Sequence, residues 1–261
     1  MEKQDIINLA KNETKYRFSD EGQSFTNQQK LALTCRILFE AGHSQNDGLA
    51  GQVTMRGINT SEPSIWTQGF GFGLEETKAS DYLLVNKQLE VLEGKEKPNK
   101  ANRFHFHIYD CRKDINCIIH THAPYCSILG GLHEAINIQH MDSMGIFEDC
   151  AHLFSWPGVP FSDEEGRIIS NALGLKNCVL LAHHGLLTVG KTIEQACYRA
   201  IVLEKAAEQQ VKSMWTGKKM AKVCFEKARQ AKDWKVSDGP LMARYYYWAR
   251  RCMPRHQDCL N

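Results

Sequence analysis

The chain has 261 residues, 43% hydrophobic, 24% charged and 9% aromatic, a globular composition with room for one or two domains. Its formal net charge of +2 argues against nucleic-acid binding as the main function, and no apolar run approaches the ~18 residues of a membrane helix. The opening "MEKQDIINLAKNETKYRF" lacks the apolar core of a secretory signal, and the ten cysteines contain no C-x-x-C pair, so a cytoplasmic location and reduced thiols are expected.

In chain order, the first strong element is "TNQQKLALTCRILFEAG". Its Leu31, Leu33, Ile37 and Leu38 fall at near-helical spacing between a capping Thr26 and Gly42. "GLAGQVTMRG" alternates like a strand between glycines. "SIWTQGFGFGLEETKASDYLLVN" reads as two short strands about a glycine-rich turn. After the polar loop "GKEKPNKANR", "RFHFHIYDCR" is predicted to be helical, with Phe104, Ile108 and Cys111 on one face. "INCIIHTH" is a buried strand, "SDEEGRIISNALGLK" a helix capped by Ser162, "CVLLA" a strand, and "TIEQACYRAIVLEKAAEQQVKSMW" a long amphipathic helix from Thr192. Glu164 and Glu165 suit the first turn of their helix, where carboxylates favour the dipole. The alternation of helices and strands predicts one α/β domain. Beyond about Lys218 the chain turns polar and then aromatic, ending "GPLMARYYYWARRCMP"; this reads as an arm packing on something else, a neighbouring subunit for example.

Two histidine pairs follow apolar runs. On a strand, residues i and i+2 share a face, so His120 and His122 project together and can chelate one divalent ion. His183 and His184 are adjacent, so on an extended chain only one of them can join that site; spacing does not choose which. Gly185 then allows a sharp turn. A third imidazole would complete a facial set with open positions, able to polarise a carbonyl or carboxylate oxygen as a Lewis acid. H-x-H also opens amidohydrolase barrels, but too little chain follows His122 for one; a cupin jelly roll is at odds with the helix after Thr192.

Taken in order, "NDGLAGQVTMR", "WTQGFGFGLEETKASDYLLVN", "RKDINCIIHTHAPYCS", "EEGRIISNALG", "LLAHHGLLTVG" and "TIEQACYRAIVLEKAAEQQ" resemble the class II aldolase/adducin family over residues 26–212 or so. The resemblance implies a three-layer αβα sandwich around a mostly antiparallel sheet, spanning 26–217 between an N-terminal extension (1–25) and the C-terminal arm (218–261). It implies a ring-shaped homotetramer with a metal near each subunit interface. Its metal pattern, H-x-H followed by a histidine before glycine, falls on His120, His122 and His184 and leaves His183 where the family often has Asn. Zinc is the default ion for three imidazoles, with manganese or iron also fitting the open site. The segment holding Gly51 and Gln52 is implied to contact the substrate, Gln52 replacing the usual Asn or His.

Where sugar-phosphate members carry their proton-transferring acid, about 19 residues before the first metal histidine, this chain has Ala101 in "NKANRF". The paired phosphate-binding serines are missing too, as is the Thr-Ser-Gly type loop, here "TQGFG". A methyl group moves no protons. These departures point to the adducin-like branch, yet with the metal histidines kept, unlike true adducin heads. Loss of CO₂ needs no base to start it, so the expected activity is that of a metal-dependent carbon–carbon lyase acting on a small oxo or hydroxy acid or sugar derivative, by decarboxylation or aldol cleavage. A non-catalytic adducin-like module and a metal-dependent oxygenase are the alternatives. Candidates for the missing proton-transfer group are His105, His140 and Tyr246, beside His107, Asp142, Tyr245 and Tyr247. The expected partners are a small-molecule substrate and further copies of the chain, with neither nucleic acid nor membrane.

Overall fold

The structure is a computed structural model that describes residues 2–12, 25–46, 48–49, 51–58, 60–159 and 162–261. Residues 13–24, about half of the expected N-terminal extension, lie outside the described residues, as do Asp47 and Ala50 of the glycine-flanked segment before the first strand. Helix α1 (Lys3–Asn12) precedes them, and α2 (Asn27–Glu40) follows. As expected, α2 opens on Thr26: the Thr26 hydroxyl accepts from Gln29 N, and the Gln29 side chain accepts from Thr26 N.

Eight strands form one sheet. They are β1 (Gly51–Arg56), β2 (Ser64–Gln68), β3 (Tyr82–Asn86), β4 (Val91–Glu93), β5 (Cys117–Thr121), β6 (Cys150–Leu153), β7 (Cys178–Leu181) and β8 (Leu186–Gly190), in the order β4-β3-β2-β1-β5-β8-β7-β6. Every pairing is antiparallel except β6–β7. Helices α3 (Asn102–Cys111) and α5 (Asp163–Leu173) cover one face; α4 (Pro124–Leu132) and α6 (Ile193–Met214) join α2 on the other. The expected αβα sandwich around a mostly antiparallel sheet is therefore present.

The period-two alternation of the strands divides the core in two. On β5, Cys117 and Ile119 pack toward α2 and α6, whereas Ile118 packs toward α3 and α5; on β1, Val53 and Met55 take the α2 side. His120 therefore lies on the α3 face, and so do Gln52 and Thr54, which pair with His120 and Ile118 in the β1–β5 ladder. Helix α3 does bury Phe104 and Ile108, but Cys111 is exposed, because the helix ends there.

The C-terminal segment, expected to be an arm that packs on something else, packs on its own chain. It forms α7 (Phe225–Lys235) and α8 (Asp238–His256), and α8 packs on α2 and α6 of its own chain. Leu241, Tyr245, Ala249 and Cys252 sit at helical spacing and are all buried, and the Tyr245 hydroxyl bonds with Thr34 Oγ1 at 3.0 Å. Cutting the chain after Gly239 would strip this layer from the core, so it would act on folding before it acts on assembly. Among the described residues no helix is long and apolar enough to cross a membrane.

Candidate metal centre

The β5 end, the β7–β8 hairpin and α3 build the site. His120 is the penultimate residue of β5 and His122 follows just beyond its end, so the shared face expected from their spacing is kept. The third ring arrives on the hairpin. Leu181 N donates to Gly185 O at 2.9 Å and closes a tight turn over Ala182–His184. In this turn His183 adopts a left-handed backbone, φ 50°, and its side chain points away, Nε2 lying 3.0 Å from Nε2 of His133. His184 turns inward. Its ring centroid is 4.7 Å from that of His120 and 4.5 Å from that of His122. Ring nitrogens of His120, His122 and His184 all lie within 4.8 Å of one another.

Gly185 is essential here for space rather than for turning. A Cβ on it would overlap the Thr121 carbonyl oxygen and stand 3.0 Å from His122 Cα, so only glycine lets the hairpin close onto the β5 end. Gly51, φ 128°, makes a similar approach, its notional Cβ falling 2.9 Å from His120 O. The β1–β2 ladder ends at Met55–Trp66, and the Gln68 side chain takes over there: its Oε1 accepts from Val53 N, and its Nε2 donates to Gly51 O.

The electronic state suits a metal. His120 Nδ1 donates to Leu186 O at 2.8 Å, which fixes the tautomer and leaves the Nε2 lone pair for an ion. Burial, then the neighbouring His184 and His122, push His120 far below the usual imidazole range; burial and His122 bring His184 down to about 4. Both are neutral donors at physiological pH, the form that ligates. A donor set of three converging imidazoles, one with its second nitrogen anchored, fits a divalent transition ion.

Among the proton-transfer candidates, only His105 lies on the His120 face. It is fully buried on α3, one turn after Ala101, and Phe104 bridges the two rings with centroid distances of 4.4 Å to His105 and 5.4 Å to His120. Its Nδ1 bonds with Thr54 Oγ1 at 2.8 Å, and that hydroxyl also meets Tyr109 Oη. His105 Nε2 and Gln52 Oε1 are buried with no hydrogen-bond partner among the described residues. His107 leaves the site on the other side of α3 to meet Asp163 at 3.1 Å, its ring filling the space that Gly166 lacks a side chain to occupy. His140 is an exposed cap that accepts from Asp142 N. Tyr246 is 4% exposed and belongs to the α2–α6–α8 core, on the opposite side of the sheet from His120, so it cannot serve this chain's own triad.

Supports that the sequence did not announce surround the triad. His43, 1% exposed, bonds with Thr121 Oγ1 at 2.9 Å. Asn46 donates to His122 O, and Ser127 to His184 O, each at 3.0 Å. Desolvation holds His43 and His105 down at about 3. Each stays neutral in the fold while the unfolded chain takes up a proton below its ordinary value near 6.5, so stability present above that value is lost as pH falls toward 3. Lowering pH from about 7.5 to about 5.5 should cost at least about 3 kcal/mol, about that much from these two groups and more from the depressed His120 and His184. Urea midpoints of the metal-free protein at the two pH values measure it; equal midpoints would show that these rings are not held neutral.

Residues 29–211 match the family described as Class II Aldolase and Adducin N-terminal domain. The chain belongs to that family. Within this class II aldolase/adducin group, an L-fuculose phosphate aldolase of Haemophilus influenzae is 30% identical over 193 residues, 72% of this chain and 84% of that one. The decarboxylase NovR of Streptomyces niveus is 26% identical over 189 residues, 72% of this chain and 69% of that one. Among solved structures, L-fuculose 1-phosphate aldolase from Glaciozyma antarctica PI12 shares the fold with a TM-score of 0.80 at 22% identity, covering 97% of this chain and 98% of that one. Relatives thus carry the names of both an aldolase and a decarboxylase. The metal dependence of the family's class II aldolases agrees with the three-histidine group of this chain.

Proposed function

We propose that the protein is a metal-dependent carbon–carbon lyase that decarboxylates, or cleaves by retro-aldol reaction, a small oxo or hydroxy acid, with His120, His122 and His184 as ligands of one divalent ion, zinc by default. The observation that carries this reading is the convergence of three imidazoles in a chain whose α3 opens on Ala101, a methyl group one turn before His105. The ion, when bound, supplies Lewis-acid polarisation of a substrate carbonyl or carboxylate oxygen. The chain supplies the rest. Leu186 O orients His120. Gln52, directly across the ladder from His120, offers an unpaired Oε1 to a substrate donor, and Gly51 lets β1 approach the His120 carbonyl closely. His105, its ring held by Thr54 and its Nε2 unpaired, is assigned the relay of a proton from solvent to the product carbanion. Support for a non-phosphorylated substrate comes from "NKANRF", where Asn99 Oδ1 is already engaged by Ala101 N in place of a phosphate-binding serine. The kinship with a protein named a decarboxylase points the same way.

The test is a substrate panel on the fully metallated protein, with 2-oxo acids and hydroxy acids set against ketose 1-phosphates and products followed by NMR. Turnover of a non-phosphorylated acid, lost in His105→Gln with metal content unchanged, is expected. Ala101→Glu should not create an efficient phosphosugar aldolase, because the phosphate loops are altered as well. Robust cleavage of a ketose 1-phosphate by the unaltered chain would refute the proposed substrate class. A metallated protein inert across the panel would favour the adducin-like interaction module.

The proposed setting is a cytosolic homotetramer, with residues 26–217 supplying the triad and the outer face of α8, where Tyr247 is exposed, meeting a neighbouring copy. Light scattering at micromolar concentration should give about four times the monomer mass, the closed symmetry usual for such assemblies; the mass of a single chain would count against it.

A further inference from the structure

We infer that His133 and His183 form a second, exposed binding site for a borderline divalent transition ion such as Zn²⁺, Cu²⁺ or Ni²⁺, distinct from the triad. Their Nε2 atoms are 3.0 Å apart, their ring centroids 5.0 Å apart and their planes inclined by 65°. Pairs within the triad have centroids 4.5–5.1 Å apart and planes at 68–71°, so the second pair has nearly the spacing and inclination of the first. Two imidazole nitrogens bound to one tetrahedral ion at ~2.05 Å stand about 3.3 Å apart, so opening this pair by a few tenths of an ångström would admit one.

The backbone holds the pair ready. Both residues are left-handed, φ 55° at His133 and φ 50° at His183, and each follows the last residue or turn of a regular element. Two contacts tie those elements together: Gly130 packs where a Cβ would strike the Leu181 carbonyl and lie 3.6 Å from His183 N, and Ser127 Oγ donates to His184 O. His133 itself is fixed as the cap of α4, its N reaching back to the last carbonyls of that helix. Both side chains are exposed, which leaves the remaining coordination positions to water. In the hydrogen-bonded pair one ring donates from Nε2; on binding an ion that ring carries its proton on Nδ1 instead, and both Nε2 lone pairs face the metal. Imidazole donors select a transition ion over Mg²⁺ or Ca²⁺, which take oxygen ligands. An ion there would clamp the end of α4 to the turn that carries His184.

Calorimetric zinc titration of the intact protein tests the inference. The unaltered chain should take up a tightly held ion and then a weaker second one, and Mg²⁺ should give no second equivalent. His133→Asn and His183→Asn, chosen because asparagine tolerates the left-handed backbone, should each lose only the weaker ion. His120→Ala should lose only the tight one, which separates failure of this site from failure of the triad. Saturation of the unaltered chain at one ion, or a second ion retained by both asparagine variants, would overturn the inference.

Discussion

Replacing His184 with alanine is expected to lower affinity for the tightly held ion by more than about 100-fold, since even partners that only orient a ligand cost about 10–100-fold. Activity should fall with it. The loss is also visible in stability. A ligand present at 100 to 1,000 times its dissociation constant stabilises a fold by about 3–4 kcal/mol, so zinc at a level that fills only the tight site should raise the melting temperature of the unaltered protein and leave that of His184→Ala almost unmoved. His183→Ala should behave like the unaltered chain in both respects, because His183 faces His133 and not the triad. Equal retention of the tight ion by both variants would mean that the hairpin does not contribute the third ligand.

Gly185→Ala should have the second largest effect, although it touches no ligand atom. Its new methyl group would meet backbone on β5, the Thr121 carbonyl and His122 Cα, and not the movable end of a side chain. The hairpin must lift away, at a cost of about 2–3 kcal/mol, and His184 moves with it. Zinc affinity should drop at least about tenfold. Gly131→Ala is the control: Gly131 lies in α4 with nothing near the position of a Cβ, so alanine there should be neutral or stabilise by about 0.5–1 kcal/mol. Chemical denaturation with and without zinc distinguishes the two. If Gly185→Ala proved as stable and as zinc-avid as the unaltered chain, the close packing of hairpin on strand would not be what places His184.

Much of this was legible in the residues. Thr26, Ser162 and Thr192 cap the helices where their hydroxyls said they would, and the two-residue spacing of His120 and His122 places both rings on one face. The choice of His184 over His183 came from the family resemblance; the structure supplies the reason as a left-handed turn residue that spacing alone does not reveal. Three strands escaped notice. Val91–Glu93 is exposed along its whole length, Cys150–Leu153 is half-buried, and Leu186–Gly190 hides behind the histidines that open its segment. The C-terminal helix was legible in part, since Leu241, Tyr245, Ala249 and Cys252 repeat at helical spacing, but the polar stretch after Lys218 and the run of aromatic residues point toward an arm. His43 carried no local signal: a buried imidazole in a loop acquires its role only when β5 brings Thr121 beside it.

Three imidazoles, two from the C-terminal end of β5 and one from the β7–β8 hairpin, are proposed to hold one divalent ion. Diffraction from crystals grown with zinc, recorded on both sides of its absorption edge, tests it most directly. The expected result is an anomalous peak about 2.0–2.1 Å from a ring nitrogen of each of His120, His122 and His184, with the Nδ1 of His120 still on Leu186 O. No peak at that position in protein saturated with zinc, or three rings turned to different cavities, would contradict it.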